Sequence, residues 1–275
     1  MRLTFALGSN PHSNILFNDM QPPNLLVSFA YKKTVNIFTY TPEYLILDSG
    51  AFTAWNSGKS VDIKAFGDWV DEVKHKGKKT VAVNLDVIPG EVGRTSTKEE
   101  RAQGMKDSIA NANYLRNRGI EVMEVFHQDE PLVFLDELLD RLPINGILGI
   151  SPRNDVNVSE KLEWQQVVLR HLYQRFGIKN LPKTHGLAVT SMRMMKQFPY
   201  YSVDSSTWSS AMRYGTMVND EGKMRGMEEI MPGRPNQKVF ANGVNHALRK
   251  SLENYMHIER GITTLWKQRG VVWKD

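Results

Sequence analysis

The chain has 275 residues, 41% of them apolar and 24% charged, the make-up of a soluble globular protein of one large domain, and it has no apolar run near the ~18 residues of a membrane span. It contains no cysteine, which excludes disulfides, thiol nucleophiles and thiolate zinc sites and fits a reducing cytoplasm. The formal net charge of +5 is unevenly placed: residues 1–207 carry 24 Lys and Arg against 23 Asp and Glu, and residues 208–275 carry 11 against 7, so the C-terminal quarter suits a polyanion such as nucleic acid or is simply a solvated basic surface.

In chain order, MRLTFALGSNPHSN is too weakly apolar for a secretory signal and reads as a first strand, Leu3–Leu7. Further strands are expected at Leu25–Phe29, Leu45–Asp48, Thr80–Asp86, Glu121–His127, Gly146–Ser151, Thr184–Val189 and Tyr200–Ser205, with a late apolar run at Lys238–Ala241. Helical patterns lie between them. Val61–Lys76 lines Ile63, Phe66, Val70 and Val73 on one face, with His75 at its solvated end. Thr97–Arg118 opens on a Thr-x-x-Glu capping box. Pro131–Arg141 starts with proline as a first helical residue. Ser159–Phe176 is closed by Gly177, and Asn242–Gln268 is a closing helix. Met192, Met194 and Met195 read as core filler.

Seven or eight β–α units in this length predict an α/β fold, a TIM-type (β/α)8 barrel in a single domain spanning 1–275. No GxGxxG follows the first strand, which weakens a dinucleotide-binding reading. Residues 213–238, rich in Gly, Met, Asn and charge without periodicity, form a predicted loop or excursion.

Polar groups cluster where the strands end. Asp48, Asp86, His127-Gln128-Asp129-Glu130, Ser151, His185-Gly186 and Asp204 all sit there. In a barrel these ends converge on the face that carries active sites. A single Asp after a strand caps a turn readily, and Asp48 taken alone reads that way. Several on one rim crowd like charges, a costly arrangement unless a task uses it. Such paired carboxylates suit acid–base or nucleophilic chemistry at a sugar carbon, or metal-assisted phosphoester hydrolysis.

The motifs Asp48-Ser49-Gly50-Ala51-Phe52, Asn84-Leu85-Asp86, Gln128, Gly186-Leu187-Ala188-Val189 and Val203-Asp204-Ser205 resemble, in order, those of the guanine transglycosylases. They spread over residues 45–206. Ala51 and Thr53 stand where the family has glycine and glutamine, and the cysteine-rich zinc site of the tRNA enzymes cannot exist here. The chain is similar to the compact, phage-type DNA-guanine transglycosylases, which insert 7-deazaguanines. The resemblance implies Asp204 as nucleophile at C1′ and Asp48 as general acid and base. It implies base binding by Asp86, Gln128, Gly186, Leu187, Phe52 and Ser49, with Phe52, Tyr200 or Tyr201 available to stack on the base if not in the core. It implies no cofactor, no metal, DNA ahead of tRNA as partner, a free 7-deazaguanine base as co-substrate, and a place in the cytoplasm of an infected host. Arg213, Lys223, Arg225, Arg234 and Lys238 are the candidate phosphate contacts. A different pentosyl transfer, a metal-dependent phosphoesterase and a nucleic-acid-binding barrel remain as alternatives.

Overall fold

The short β-branched runs read from the sequence form parallel strands covered on both faces, as such runs require. In a computed structural model, which describes residues 1–8, 11–36, 38–90, 96–189, 191–210, 214–226 and 237–273, with backbone alone at 11–14 and 237–244, the barrel strands are β1 (Arg2–Leu7), β2 (Asn24–Ser28), β3 (Tyr44–Asp48), β4 (Lys79–Val83), β5 (Val122–Met123 and Val125–His127), β6 (Ile147–Ser151), β7 (Lys183–Gly186) and β8 (Ser202–Ser205). All pair in parallel, and β1 lies between β2 and β8. The first half of β5 pairs with β4 and the second half with β6. One stretch of chain therefore joins both ends of the sheet, and the fold is a TIM-type (β/α)8 barrel.

Alternate side chains separate two apolar regions. Leu26, Tyr44, Ile46, Val81, Val83, Met123, Val125 and Ile147 fill the barrel. Leu3, Phe5, Leu25, Leu45, Leu47, Phe126 and Leu148 pack outward under the helices. Those helices are α1 (Pro11–Met20), α2 (Ala51–Asn56), α3 (Ile63–Val73), α4 (Lys98–Asn117), α5 (Leu132–Asp140), α6 (Val158–Phe176), α7 (Met192–Gln197) and α8 (Gln237–Gln268). The Thr97 capping box of α4 is present, with Glu100 as its partner. Pro131 is the residue before α5 rather than its first residue, and Asn157 caps α6.

Helix α8 ties the end of the chain to its beginning. Glu259 accepts a hydrogen bond from the Leu3 N–H at 2.9 Å, and the Trp266 indole donates to the Met195 carbonyl at 2.8 Å. The run Lys238–Ala241, expected as a strand, belongs to this helix. No turn separates it from the amphipathic pattern that follows, so the helical backbone extends back through it. The stretch expected as irregular contains an antiparallel hairpin, β9 (Thr216–Val218) and β10 (Met224–Gly226). Its backbone is held to α8 by Asn254, whose amide donates to the Val218 carbonyl at 2.8 Å.

Candidate active site

Asp48 ends β3 beside Ser28, its register partner on β2, which hydrogen-bonds it. Its Oδ2 also accepts the Gly50 N–H at 3.1 Å. Gly50 has φ 74°, and a Cβ there would lie 3.3 Å from both the Ala30 nitrogen and the Ser28 hydroxyl, so the turn needs glycine. Burial pushes the Asp48 carboxyl up to about 6, the nearby charges of Asp204 and Asp86 push the same way, and its two hydrogen bonds only partly oppose them. Asp48, Asp86 and Asp204 thus share one electrostatic environment at the barrel mouth.

Asp86 lies three residues past the end of β4, whereas the strand expected from the sequence ran on to include it. Its loop is pinned to α4: the Val87 N–H donates to the Ser108 hydroxyl at 2.8 Å, and the Asn111 amide to the Leu85 carbonyl at 2.7 Å. Asp86 Oδ2 is 2.6 Å from Nε2 of His127, the last residue of β5. Glu130 accepts the His127 backbone N–H at 2.8 Å. Burial opposes a charged His127 ring, but the Asp86 carboxylate, its hydrogen bond and Glu130 outweigh that, and the ring is raised to about 9. Glu130 is itself raised, first by burial.

Asp204 lies inward on β8. Its Oδ1 accepts the Ala188 N–H at 2.9 Å and faces His185 Nε2 at 3.2 Å. His185 is fully buried, and its Nδ1 is 2.7 Å from the Ser202 hydroxyl. A carboxylate only accepts, so Nε2 carries a proton and donates it to Asp204. Among the described residues Asp204 Oδ2 has no hydrogen-bond partner. Ala188 reaches this position with φ 53°, a left-handed backbone that is strained for alanine. His185 carries no role in the sequence reading, although its place two residues before Leu187 on an inward-facing register marked it.

Several expected base contacts have other occupations. Ser49 is 1% exposed and donates to the Asn84 carbonyl at 2.9 Å, so it buttresses the turn and does not face a ligand. A Cβ on Gly186 would lie 2.8 Å from the Tyr200 ring, so this glycine makes room for a core aromatic. The Leu187 N–H donates to the Ile150 carbonyl at 3.0 Å and its side chain caps the barrel interior. Tyr200 and Tyr201 are core residues, whereas Phe52 is 52% exposed beside Trp55. Gln128 accepts the Arg153 N–H at 3.0 Å through its side-chain oxygen, which leaves its NH2 group as the available donor.

Lys223 and Arg225 are exposed on the β9–β10 hairpin. A Cβ on Gly222, in its turn, would lie 2.2 Å from Met192, so the hairpin tip sits against the first residue of α7. Arg213 and Arg234 lie outside the described residues, and of Lys238 only the helical backbone is described. A cavity of about 200 Å³, lined by Gly77, Lys78, Gly119 and Glu121 among others, opens at the opposite end of the strands, far from these acids. Among the described residues no group of three or more His, Asp or Glu is arranged to hold a metal ion, and no helix is long and apolar enough to cross a membrane. No protein-family model matches the chain, and no curated protein matches it.

Proposed function

We propose that the chain is a base-exchange transglycosylase that replaces guanine in DNA with a 7-deazaguanine. One observation carries the reading: carboxylates at a single mouth meet different surroundings. Asp204 is held through Oδ1 by Ala188 and His185, which leaves Oδ2 for attack. Asp48 is pushed up to about 6 by burial and by its acidic neighbours, a value suited to moving protons near neutrality.

Asp204 Oδ2 attacks C1′ of the target nucleotide. The C1′–N9 bond breaks, and its electron pair leaves with guanine, which takes a proton from Asp48. The incoming base then gives a proton to Asp48, attacks C1′ and expels Asp204. Two inversions retain the configuration. Asp86 accepts the N–H donors of the guanine edge, and the Gln128 NH2 donates to its carbonyl oxygen. Phe52 offers an exposed face for stacking on a base drawn out of the helix.

The test is to incubate the protein with labelled guanine and, separately, DNA or tRNA. Label is expected in DNA. Label in tRNA alone reassigns the polymer, and label in neither rejects the reaction.

A further inference from the structure

The sequence marks His127 and Glu130 as polar groups at a strand end, and the reaction just described uses neither. They are nonetheless built into the site. His127 Nε2 is 2.6 Å from Asp86 Oδ2, Glu130 fixes the His127 backbone from the following turn, and both side chains of the ion pair are mostly shielded, at 29% and 12% exposed.

We propose that His127 is a positioning residue that sets base specificity: its imidazolium clamps one oxygen of Asp86 and keeps that residue an acceptor-only carboxylate, so the site takes a base whose edge presents adjacent N–H donors and rejects one that presents an acceptor there. This rests on the transglycosylase reading and deepens it.

Acidic groups crowd around Asp86. Asp86 faces Asp48 from β3, and both belong to a mouth that also holds Asp204 from β8 and Glu130 from the turn after β5. The imidazole under Asp204, His185, is committed to Asp204 and Ser202. Arg153, which follows β6, is held by Asp129 and Asp155. Among the described residues His127 is therefore the cation in direct contact with Asp86. Without it, Asp86 would take up a proton to relieve repulsion. A protonated Asp86 carries an O–H, which opposes a guanine-type N–H and instead donates to an adenine-type ring nitrogen. The clamp on Oδ2 also leaves Oδ1 as the oxygen available to the base. Asp86 and Glu130 together hold the ring protonated well above neutrality, against the opposing effect of burial.

The experiment measures binding of free guanine and free adenine by equilibrium dialysis between pH 5.5 and 9, with native protein, His127→Gln and Glu130→Gln, alongside labelled-guanine exchange. For His127→Gln the expected result is a loss of guanine binding of about tenfold or more at pH 6. The preference over adenine shrinks at that pH, and both recover as pH rises. Glu130→Gln leaves the preference within about threefold, because Glu130 touches the backbone and not Asp86. A uniform loss at every pH, with the preference intact, means that His127 is merely structural and overturns the proposal. If His127→Gln fails to fold, the ring is titrated in native protein by nitrogen NMR. A ring that titrates near 6.5, the free-histidine value, overturns the proposal, and one held near 9 supports it. Native protein that binds guanine and exchanges it, with a pH-independent defect in the variant, sinks this inference alone. Native protein that neither binds nor exchanges guanine sinks the transglycosylase reading with it.

Discussion

His185 Nε2 lies 3.2 Å from Asp204 Oδ1, at the floor of the barrel mouth and out of contact with solvent. The imidazole is locked between Ser202 and Asp204, so it orients the carboxylate and has no path to a substrate. Asp204→Asn is expected to lower base exchange at least about a thousandfold while guanine binding stays within about threefold. His185→Gln is expected to lower kcat by about a hundredfold with little change in KM. An Asp204→Asn protein that still exchanges labelled guanine rejects the nucleophile assignment.

Asp48 distinguishes a catalytic group from a turn cap by the sign of a stability change. Its folded value, about 6, is raised above the ordinary carboxylate value, so the stability it contributes is present below about pH 4 and is lost as pH rises through 6. At pH 7 the ionised group opposes folding by up to about 3 kcal/mol. Asp48→Asn is expected to raise the melting temperature at pH 7 by a few degrees and to abolish exchange. A turn cap predicts the reverse on both counts.

His127 gives a second pH signature. Its ring is raised to about 9, so its contribution is complete below 6.5 and declines as pH rises through 9. Denaturant titrations are expected to show stability falling across that interval in native protein by up to about 3 kcal/mol. The interval should be flatter in His127→Gln. Equal slopes in the two proteins exclude a strong Asp86–His127 pair.

Gly186→Ala should act through Tyr200. The added methyl would meet a fully buried ring hydrogen-bonded to Gln165, at a cost of about 1–3 kcal/mol. Adding Tyr200→Leu should recover part of that cost, so the double variant is more stable than the sum of the single changes implies. Strict additivity, with exchange lost in both Gly186 variants, points to a close approach of the base instead.

The exposed cations of the hairpin, Lys223 and Arg225, are expected to serve the polymer and not the base. Changing both to Gln should weaken DNA binding at low salt and reduce the salt dependence by about two phosphate contacts. Free-guanine binding should not change. An unaltered salt slope places the polymer elsewhere.

The barrel was legible because parallel strands buried on both faces announce themselves as apolar runs, and Asp48 and Asp204 were legible because each ends such a run. Asp86 was placed at a strand end and lies past one, since its loop takes its shape from Ser108 and Asn111 on α4, a tertiary influence that strand periodicity does not carry. Ser49 and Gly186 read as base contacts because a motif names residues without their direction. The first points at a carbonyl of the loop after β4, and the second leaves room for an aromatic on the far face. His185 went unassigned for the opposite reason: alternation placed it inward, but only the register with Ser202 shows which neighbours it meets. The hairpin was missed because three-residue strands fall below any usable period.

The Ser49 hydroxyl, 2.9 Å from the Asn84 carbonyl, makes the turn after β3 and the loop after β4 one mechanical unit. The same Asn84 reaches on to α4 through Ser108. The spacing between Asp48 and Asp86 is thus set by the scaffold. On the proposed transglycosylase reading, a base that fits Asp86 is presented to Asp48 without a closing motion of these two loops, and chemistry and recognition draw on a single rigid ruler.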